Sequence, residues 1–243
     1  MRYAVISDIH GNIEALQAVM DDIGHRKADR IVCLGDIVGY YPDPEHCAEV
    51  VRKRASVSIA GNHDYAAIGR IDTAGFTYYA FAAMEWTKAA ISGETREYLA
   101  SLPLTAEKDG LFFAHSSPSN PEAWPYLFPD GEEAVFDAFS ATPFPLNFIG
   151  HTHWPSIMIQ SGERIILHPE HSIRITPGTS YLINAGSVGQ PRDFDPRSSY
   201  VLYDTTSATV SIIRVAYDFS ATQRKIRDNR LPVFLAERLE KGR

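Results

Sequence analysis

The tetrapeptide Gly61-Asn62-His63-Asp64 places an amide oxygen, an imidazole and a carboxylate at consecutive positions, directly after an apolar run at residues 56–60. Glycine and asparagine both tolerate positive φ angles, so an ordinary turn could use the first two residues alone. The histidine and aspartate add groups able to bind a metal, transfer a proton and orient the proton donor. The motif therefore indicates either a turn or a catalytic loop.

Side chains of the same chemical types follow four other apolar runs. Loops at the carboxyl ends of parallel strands converge on one crevice in open α/β sheets, so these side chains are predicted to share a cavity. One donor at one strand end is easily accidental, whereas donors at five strand ends predict a site. The donors are Asp8 and His10 after residues 3–6, Asp36 after 30–34, Asn62 after 57–60, His115 after 111–114, and His151 and His153 after 146–149.

The number of these donors predicts two metal ions. A structural zinc ion takes four protein ligands and a catalytic one usually takes three, so seven donors are too many for one ion. Asp36 stands alone at its strand end, whereas Asp8 and His10 come as a pair, which makes Asp36 the natural bridging carboxylate. Imidazole, carboxylate and amide ligands without thiolate favour Mn²⁺, Fe²⁺/Fe³⁺, Zn²⁺ or Ni²⁺ and disfavour an all-oxygen calcium site.

A pair of divalent ions with two aspartates and a bridging hydroxide would carry a net charge of about +1, which attracts a phosphate. Two such ions hold phosphate oxygens while water is activated for in-line attack. His63 is left over from the metal ligands and is predicted to protonate the leaving group as a general acid. Asp64 either hydrogen-bonds the second ring nitrogen of His63, caps the following helix, or does both.

The elements that must position these residues alternate in type. Residues 3–6, 30–34 and 57–60 read as buried strands separated by helices, the first helix beginning at the N-cap Asn12, which predicts parallel pairing with right-handed crossovers. Further along the chain we predict helix over residues 65–102, strands at 111–114 and 146–149 and a short helix near 132–139. Residues 116–145 otherwise form a Pro-rich loop, whose Trp124, Tyr126 and Phe128 line a substrate entrance or pack the loop down; packing is the favoured interpretation.

Short alternating runs after His153 predict an antiparallel meander that forms a second sheet. These runs are residues 156–160, 164–167, 181–183, 200–203 and 209–215, and a helical tail divided by Leu231-Pro232 begins at Phe219. The fold class is therefore α/β, and residues 1–243 are predicted to form one domain of two packed sheets flanked by helices.

Composition excludes several classes of protein. The 243 residues carry a net charge of −7 with a pI near 5.7 and no long basic run, so a nucleic-acid partner is not expected. The two cysteines, Cys33 and Cys47, form neither a disulfide framework nor a zinc ribbon, which favours a reducing compartment. The sequence shows no signal peptide and no apolar run long enough to span a bilayer, so we expect a cytoplasmic protein with no membrane partner.

The ordered set of motifs resembles the calcineurin-like metallophosphoesterase superfamily. The residues that carry the resemblance are Asp8-x-His10, Gly35-Asp36, Gly61-Asn62-His63-Asp64, His115 and Gly150-His151-Thr152-His153. Gly39-Tyr40, Pro42-Asp43-Pro44, the segment from Asn184 to Arg192 and Leu231-Pro232 are similar to a bacterial single-domain group of diadenosine-tetraphosphatase-like and Ser/Thr-protein-phosphatase-like enzymes. Ser116, where glycine is expected, and Ala185, where proline is expected, depart from the pattern without removing a ligand.

The resemblance implies a four-layer αββα sandwich of two mixed sheets flanked by helices. It assigns the ligands by motif: Asp8, His10, Asp36 and His153 to a first ion, and Asp36, Asn62, His115 and His151 to a second. It also implies that His63 and Asp64 serve the leaving group. Arg192 and Asn12 are predicted to contact the substrate, although Arg192 could instead pair with Asp193 or Asp195.

The leading hypothesis is a binuclear metal-dependent phosphatase or phosphodiesterase acting on a small phosphate ester, a nucleotide or a phosphoprotein. One alternative is a catalytically inactive scaffold of the same fold that binds a protein partner. Another is a nuclease, which the acidic charge and the lack of a nucleic-acid-binding module disfavour. The complete donor set disfavours the scaffold.

Overall fold

A computed structural model describes all 243 residues. The chain forms two six-stranded sheets, with helices on their outer faces. The strands are β1 (Arg2–Ile6), β2 (Arg30–Cys33), β3 (Val57–Ser58), β4 (Thr105–Lys108), β5 (Leu111–Ala114), β6 (Leu146–Ile149), β7 (Ser156–Ser161), β8 (Arg164–Leu167), β9 (Ser172–Arg174), β10 (Ser180–Asn184), β11 (Ser198–Asp204) and β12 (Thr209–Val215). The helices are α1 (Ile13–His25), α2 (Pro44–Arg54), α3 (Asn62–Ala67), α4 (Tyr78–Ala90), α5 (Gly93–Ser101), α6 (Glu132–Ser140), α7 (Phe219–Asp228) and α8 (Val233–Lys241).

Both sheets are mixed. The first has the order β3-β2-β1-β11-β12-β9, in which β1, β2 and β3 are parallel and the remaining pairs are antiparallel. The second has the order β4-β5-β6-β10-β7-β8, in which β5, β6 and β10 are parallel. Two mixed sheets flanked by helices were predicted, and this fold class is confirmed.

The predicted distribution of strands between the sheets is wrong. β5 and β6 were expected in the first sheet but belong to the second. The strands of the expected meander are divided between the two sheets. The reason is that β1, β5 and β6 are all buried on both faces, so their apolar runs look alike whichever sheet they enter. The chain reaches the second sheet through α3, α4 and α5, which replace the single helical stretch expected at residues 65–102.

Side chains of β1 alternate between two cores, as a strand period of two requires. Ala4 and Ile6 pack under α1 and α2, whereas Tyr3 and Val5 pack between the sheets against residues such as Phe148 of β6. A further core lies between the second sheet and α6. Helix, sheet, sheet and helix therefore form four layers.

The remaining predicted elements are mostly confirmed. The short helix near residues 132–139 is α6, and the divided helical tail is α7 and α8. Two strands were not predicted, β4 and β9, because both are short and largely exposed and so lack a clear apolar alternation. None of the helices has both the length and the apolar character needed to cross a bilayer.

The packing of the two sheets aligns the carboxyl ends of their parallel strands. The amide of Gly150, after β6, donates to the carbonyl of His115, after β5 (2.9 Å). Between the sheets, the amide of His151 donates to Asp8 Oδ2 (3.0 Å), and His115 Nδ1 lies 2.9 Å from the carbonyl of Leu34. These bonds bring the ends of four strands, β1, β2, β5 and β6, to one place.

Candidate metal centre

Six His and Asp side chains predicted as ligands lie at this edge in two groups whose ligand atoms are within 4.8 Å of one another. One group is Asp8, His10 and His153, and the other is Asp36, His115 and His151. Asp36 joins the groups, because its Oδ2 lies 3.6 Å from His10 Nε2 and 3.4 Å from His115 Nε2. The seventh predicted ligand, Asn62, is buried as the first residue of α3.

Each of the four histidines has its ring oriented by a backbone carbonyl. A carbonyl oxygen only accepts, so the ring nitrogen that faces it carries the proton and the other nitrogen is free to bind a cation. The contacts are His10 Nδ1 to Val38 O (3.3 Å), His115 Nδ1 to Leu34 O (2.9 Å), His151 Nε2 to Trp124 O (2.9 Å) and His153 Nδ1 to Gln190 O (2.5 Å). All four free nitrogens belong to the two donor groups.

Several buried acceptors at the centre have no protein donor. Asp8 Oδ1 and Asn62 Oδ1 make no hydrogen bond. The free nitrogens of His10 and His153 lie 3.1 Å apart, as do those of His115 and His151. Unpaired buried acceptors are costly, and a cation between them satisfies both members of each pair. The residues present therefore fit divalent metal ions.

The backbone of most of these residues is left-handed, with φ between 52° and 67°. This conformation costs a non-glycine residue roughly 1–2 kcal/mol and persists where surrounding structure or function requires it. The residues concerned are Asp8, His10, Asp36, His151 and His153. The chain thus bends sharply after β1, β2 and β6, which turns these side chains into the centre.

Two glycines let the backbone approach the aspartates closely. A Cβ atom on Gly61 would lie 2.0 Å from Asp36 Oδ1, and one on Gly150 would lie 2.0 Å from Ser7 Oγ and 2.6 Å from Asp8 Oδ2. The motifs therefore need glycine at these positions because no side chain fits.

Charges at the centre favour ionised carboxylates. Burial acts to raise the pKa of Asp8, but the charges of His153 and His115 outweigh it and hold that pKa well below its usual range. The pKa of Asp36 is also lowered, since His115 and His63 outweigh its burial. Burial opposes a charge on His115, yet Asp36 and Asp8 raise its pKa to about 9. Both aspartates are therefore ionised at neutral pH.

His63 forms a third group of possible ligand atoms with His10 and Asp36, but it differs from the other histidines in its bonding. Its ring packs against those of His10 and Tyr40 (centroids 4.7 Å apart in both cases) and Phe76 (4.9 Å), and its buried Nδ1 has no hydrogen-bond partner. Burial lowers the pKa of His63 to about 4, although the charge of Asp36 opposes this shift. The imidazole is thus an uncharged group beside the centre with an unpaired ring nitrogen.

The predicted hydrogen bond from Asp64 to the ring of His63 is wrong. The carboxylate of Asp64 accepts the amides of Ile37 (2.9 Å), Val38 (3.2 Å) and Gly61 (2.9 Å), which occupy both of its oxygens. Its bond to Gly61 helps to cap α3 from the third position of the helix, whereas the N-cap residue is Gly61, so the alternative prediction of Asp64 as the N-cap is correct in function but not in position. Asp64 holds the loops after β2 and β3 together and positions the neighbours of His63.

The prediction that Asn12 contacts the substrate is also wrong. Its Oδ1 caps α1 at Ala15 N (3.2 Å) and accepts from Thr222 (3.0 Å), while its Nδ2 donates to Gly189 O (2.9 Å) and Tyr217 Oη (3.3 Å). The side chain is fully buried, so no polar atom remains for a ligand.

Arg192 does not pair with either neighbouring aspartate. Asp193 pairs with Arg214, and Asp195 pairs with Arg197. The guanidinium of Arg192 instead donates to Gln190 Oε1 (2.8 and 3.1 Å) and lies 5.9 Å from the centroid of the Tyr40 ring. Burial lowers the pKa values of His10, His63 and His153 and the charge of Arg192 adds to this, so a cation without a carboxylate partner lies near the centre.

A cavity of about 400 Å³ adjoins the centre, with Asn62, His63 and His151 on its wall. Trp124 and Tyr126 line it. Trp124 also packs against Tyr65 and His115, and Tyr126 packs against His151, so the favoured interpretation of packing holds and both residues line a cavity as well. The hydroxyl of Ser116 donates to the carbonyl of Pro125 and ties this loop to the end of β5. Asp72 and Glu122 also line the cavity; no motif in the sequence marks them.

The fold and the donor set together define a protein of the metallophosphoesterase type. Residues 1–208 match the calcineurin-like phosphoesterase superfamily domain, and the chain belongs to this family, whose members hydrolyse phosphoester bonds. The uncharacterized protein MJ0912 of Methanocaldococcus jannaschii is 43% identical over 99% of this chain and 98% of its own.

Solved structures agree with this assignment. A metallophosphoesterase from Sphaerobacter thermophilus is 38% identical, with a TM-score of 0.88 over 100% of this chain and 99% of its own. The hypothetical protein PH1004 of Pyrococcus horikoshii, at 22% identity, shares the fold with a TM-score of 0.82 over 100% of this chain and 98% of its own.

Proposed function

We propose that the protein hydrolyses phosphate esters at a binuclear metal centre. One observation carries the proposal: Asp36 Oδ2 lies about equally far from a histidine of each donor group, 3.6 Å from His10 Nε2 and 3.4 Å from His115 Nε2. A single carboxylate oxygen in that position suits a bridge between two cations.

The donors divide into two ligand sets that share Asp36. Asp8, His10, Asp36 and His153 would hold one ion, and Asp36, Asn62, His115 and His151 the other. The mixture of nitrogen and oxygen ligands suits Mn²⁺, Fe²⁺/Fe³⁺, Zn²⁺ or Ni²⁺. When bound, two such ions polarise a phosphoryl group and lower the pKa of water so that it attacks phosphorus.

The protein's own residues supply binding and proton transfer. Arg192, which has no counter-ion, binds the non-bridging phosphate oxygens through its planar guanidinium. His63 donates a proton to the oxygen of the leaving group as the bond from phosphorus to that oxygen breaks. The negative charge of the bound phosphate raises the pKa of His63 and so supports its protonated form.

The two alternative functions are disfavoured by specific observations. An inactive scaffold has no use for buried, unpaired acceptors such as Asp8 Oδ1 and Asn62 Oδ1, which cost stability without a cation. A nuclease needs a basic track for a nucleic-acid backbone, whereas the chain carries a net charge of −7 and the cavity beside the centre is lined by Asp72 and Glu122.

The experiment combines elemental analysis of the purified protein with turnover of p-nitrophenyl phosphate and bis-p-nitrophenyl phosphate in added Mn²⁺. We expect about two metal equivalents and hydrolysis of at least one ester. Asp36→Asn is the test variant, and Asp109→Asn, a similar change at the opposite end of the sheets, is the matched control. No turnover with any divalent ion would overturn the proposal and favour the scaffold.

A further inference from the structure

The 400 Å³ cavity lies on the side of the metal centre where the leaving group of a phosphate ester would depart. His63, the proposed proton donor, forms part of its wall, as do the predicted ligands Asn62 and His151. A leaving oxygen must lie within hydrogen-bond reach of its proton donor, so the group attached to that oxygen extends into the same space. This orientation rests on the proposed function.

Aromatic side chains form much of the wall of this cavity. Tyr40 and Phe76 pack against the ring of His63 at 4.7 and 4.9 Å, and Tyr126 stacks on His151 at 4.2 Å with an interplanar angle of 16°. Trp124 lies beside them. Such walls stabilise planar rings by stacking and by burial of apolar area.

The charged side chains on the wall, apart from histidines, are both acidic. Asp72 and Glu122 are exposed, form no ion pair, and line the cavity without any lysine or arginine. Arg192 is absent from this wall, although its guanidinium lies 3.4 Å from the hydroxyl of Tyr40, which is part of the wall. The cavity itself is therefore lined by negative charge.

The cavity is held by bonds that also support the metal centre. Ser116 donates to the carbonyl of Pro125, and the carbonyl of Trp124 accepts from His151 Nε2 (2.9 Å). Its volume of about 400 Å³ is in the range of small-ligand sites. The aromatic wall is thus an ordered part of the molecule that is fixed relative to the metal-binding histidines.

We infer that this cavity is a leaving-group subsite for a nucleoside, so that the substrate is a phosphate ester of a nucleoside that carries no second phosphate on the leaving side. The rings accommodate the planar base. The carboxylates of Asp72 and Glu122 accept hydrogen bonds from its amino and hydroxyl groups and repel additional anions.

The first test compares adenosine 5′-monophosphate with ribose 5-phosphate, which have the same scissile bond and differ by the base. Both are supplied as methyl diesters if the enzyme accepts only p-nitrophenyl diesters. We expect kcat/KM to be higher for the nucleotide by about 10-fold or more, because stacking of a base on aromatic side chains contributes about 1–3 kcal/mol. Equal values would overturn the inference.

The second test adds charge to the leaving group by using adenosine 3′,5′-bisphosphate, with release of the 5′ phosphate measured. We expect a kcat/KM about fivefold lower than for the monophosphate at low salt, and a smaller difference at high salt. The double variant Asp72→Asn/Glu122→Gln should remove the difference. The control Glu132→Gln/Glu133→Gln, which removes the same charge from exposed positions on α6 outside the cavity, should preserve it.

Substitution of Tyr126 distinguishes a loss of stacking from a general loss of activity. Tyr126→Leu should reduce the preference for the nucleotide over ribose 5-phosphate by about 5-fold or more, whereas Tyr126→Phe should retain it. A preference unchanged in Tyr126→Leu would contradict a role for this wall. Hydrolysis of p-nitrophenyl esters with no preference among the sugar phosphates would refute the subsite alone, whereas no hydrolysis of any ester would refute the proposed function itself.

Discussion

The two ends of the sheet sandwich differ in how their buried polar groups are satisfied. At the amino ends of the parallel strands a cavity of about 540 Å³, larger than the one beside the metal centre, is lined by Tyr3, Asp109 and Tyr203 among others. There Tyr3 donates to Asp109, and the amide of Thr176 donates to Tyr181 Oη (3.1 Å). At the carboxyl ends, buried acceptors have no donor.

Left-handed backbone occurs at both ends but for different reasons. Asp109, with φ 52°, precedes Gly110 in the tight turn between β4 and β5, where positive φ angles are expected. Asp8 and Asp36 adopt the same conformation where strands end in loops that approach the centre. The comparison teaches that cavity size and backbone strain do not identify the functional end, whereas buried, unpaired ligand atoms do.

Asp36→Asn should produce the largest difference between the two ends. We expect kcat/KM to fall by at least ~10³-fold, since loss of a bridging carboxylate removes several kcal/mol of transition-state stabilisation. Asp109→Asn at the other end should leave kcat/KM within about twofold, because its carboxylate accepts from Tyr3 and is not among the possible metal ligands. Steady-state kinetics with an aryl phosphate and metal analysis measure the effect of each substitution. Equal losses of kcat/KM in the two variants would contradict the assignment of function to the carboxyl ends of the strands.

His63→Gln should lower kcat by about 10²- to 10⁴-fold while the metal content stays unchanged, because in the proposed function the residue transfers a proton and holds no metal. His25→Gln, at the exposed end of α1, is the matched control and should behave as wild type. Loss of metal in His63→Gln would assign the residue to the ligands and contradict its role as a proton donor.

Gly150→Ala should weaken metal binding by about 10- to 100-fold, since the added Cβ would displace Asp8, which lies 2.6 Å from its position. Gly24→Ala in α1 meets no atom within 4 Å and should leave metal binding unchanged while adding about 0.5–1 kcal/mol to stability. Titration with Mn²⁺ measures the first effect and chemical denaturation the second. Wild-type affinity in Gly150→Ala would show that the close packing is not needed.

Metal removal should destabilise the protein as well as inactivate it. Ions that bind the folded state alone add about 2.7 kcal/mol to the free energy of unfolding at a concentration 100 times their Kd. A chelator should therefore lower Tm, and restored Mn²⁺ should raise it again. In Asp36→Asn the metal-dependent shift should shrink, whereas in Asp109→Asn it should persist. A Tm that does not change when metal is removed or restored would contradict the inference that these residues bind cations.

The smallest expected effect lies at the opposite end. Burial and the hydrogen bond to Asp109 raise the pKa of Tyr3 to about 12, so its protonated form is favoured in the folded state. This contribution is present below pH 10 and is lost as the pH rises towards 12. Tyr3→Phe should cost about 1 kcal/mol at neutral pH and weaken the alkaline decline, with kcat unchanged. Denaturation at several pH values provides the measurement.

The sequence predicted the two sheets and the convergence of the donors well, because both follow from local features. A donor directly after an apolar run lies at a strand end whichever sheet that strand joins, so the convergence of Asp36 with His115 and His151 did not depend on the wrong strand distribution. Which sheet a strand joins depends on long-range packing, and apolar runs of similar character do not specify that packing.

The roles of Asp64 and Asn12 were missed for a common reason. Both side chains compete for neighbouring backbone and side-chain groups, and proximity in sequence does not show which bond forms. Asp64 accepts hydrogen bonds from three backbone amides, so it does not bind the ring of His63. Asn12 caps α1 and accepts from Thr222 of α7, so it has no free group for a substrate. That Trp124 and Tyr126 line the cavity as well as packing was not the favoured interpretation, because a Pro-rich loop has no periodicity that reveals its inner side.

Trp124 contributes both to the cavity wall and, through its carbonyl, to the orientation of His151. A substitution or insertion that changes the backbone of this loop to suit a different leaving group therefore also changes the orientation of the His151 ring, which is proposed to bind a cation. Changes in the backbone path of this loop would therefore alter substrate preference and metal binding together. Substitution of single side chains on the wall, such as Tyr126, changes the cavity without moving the carbonyl of Trp124.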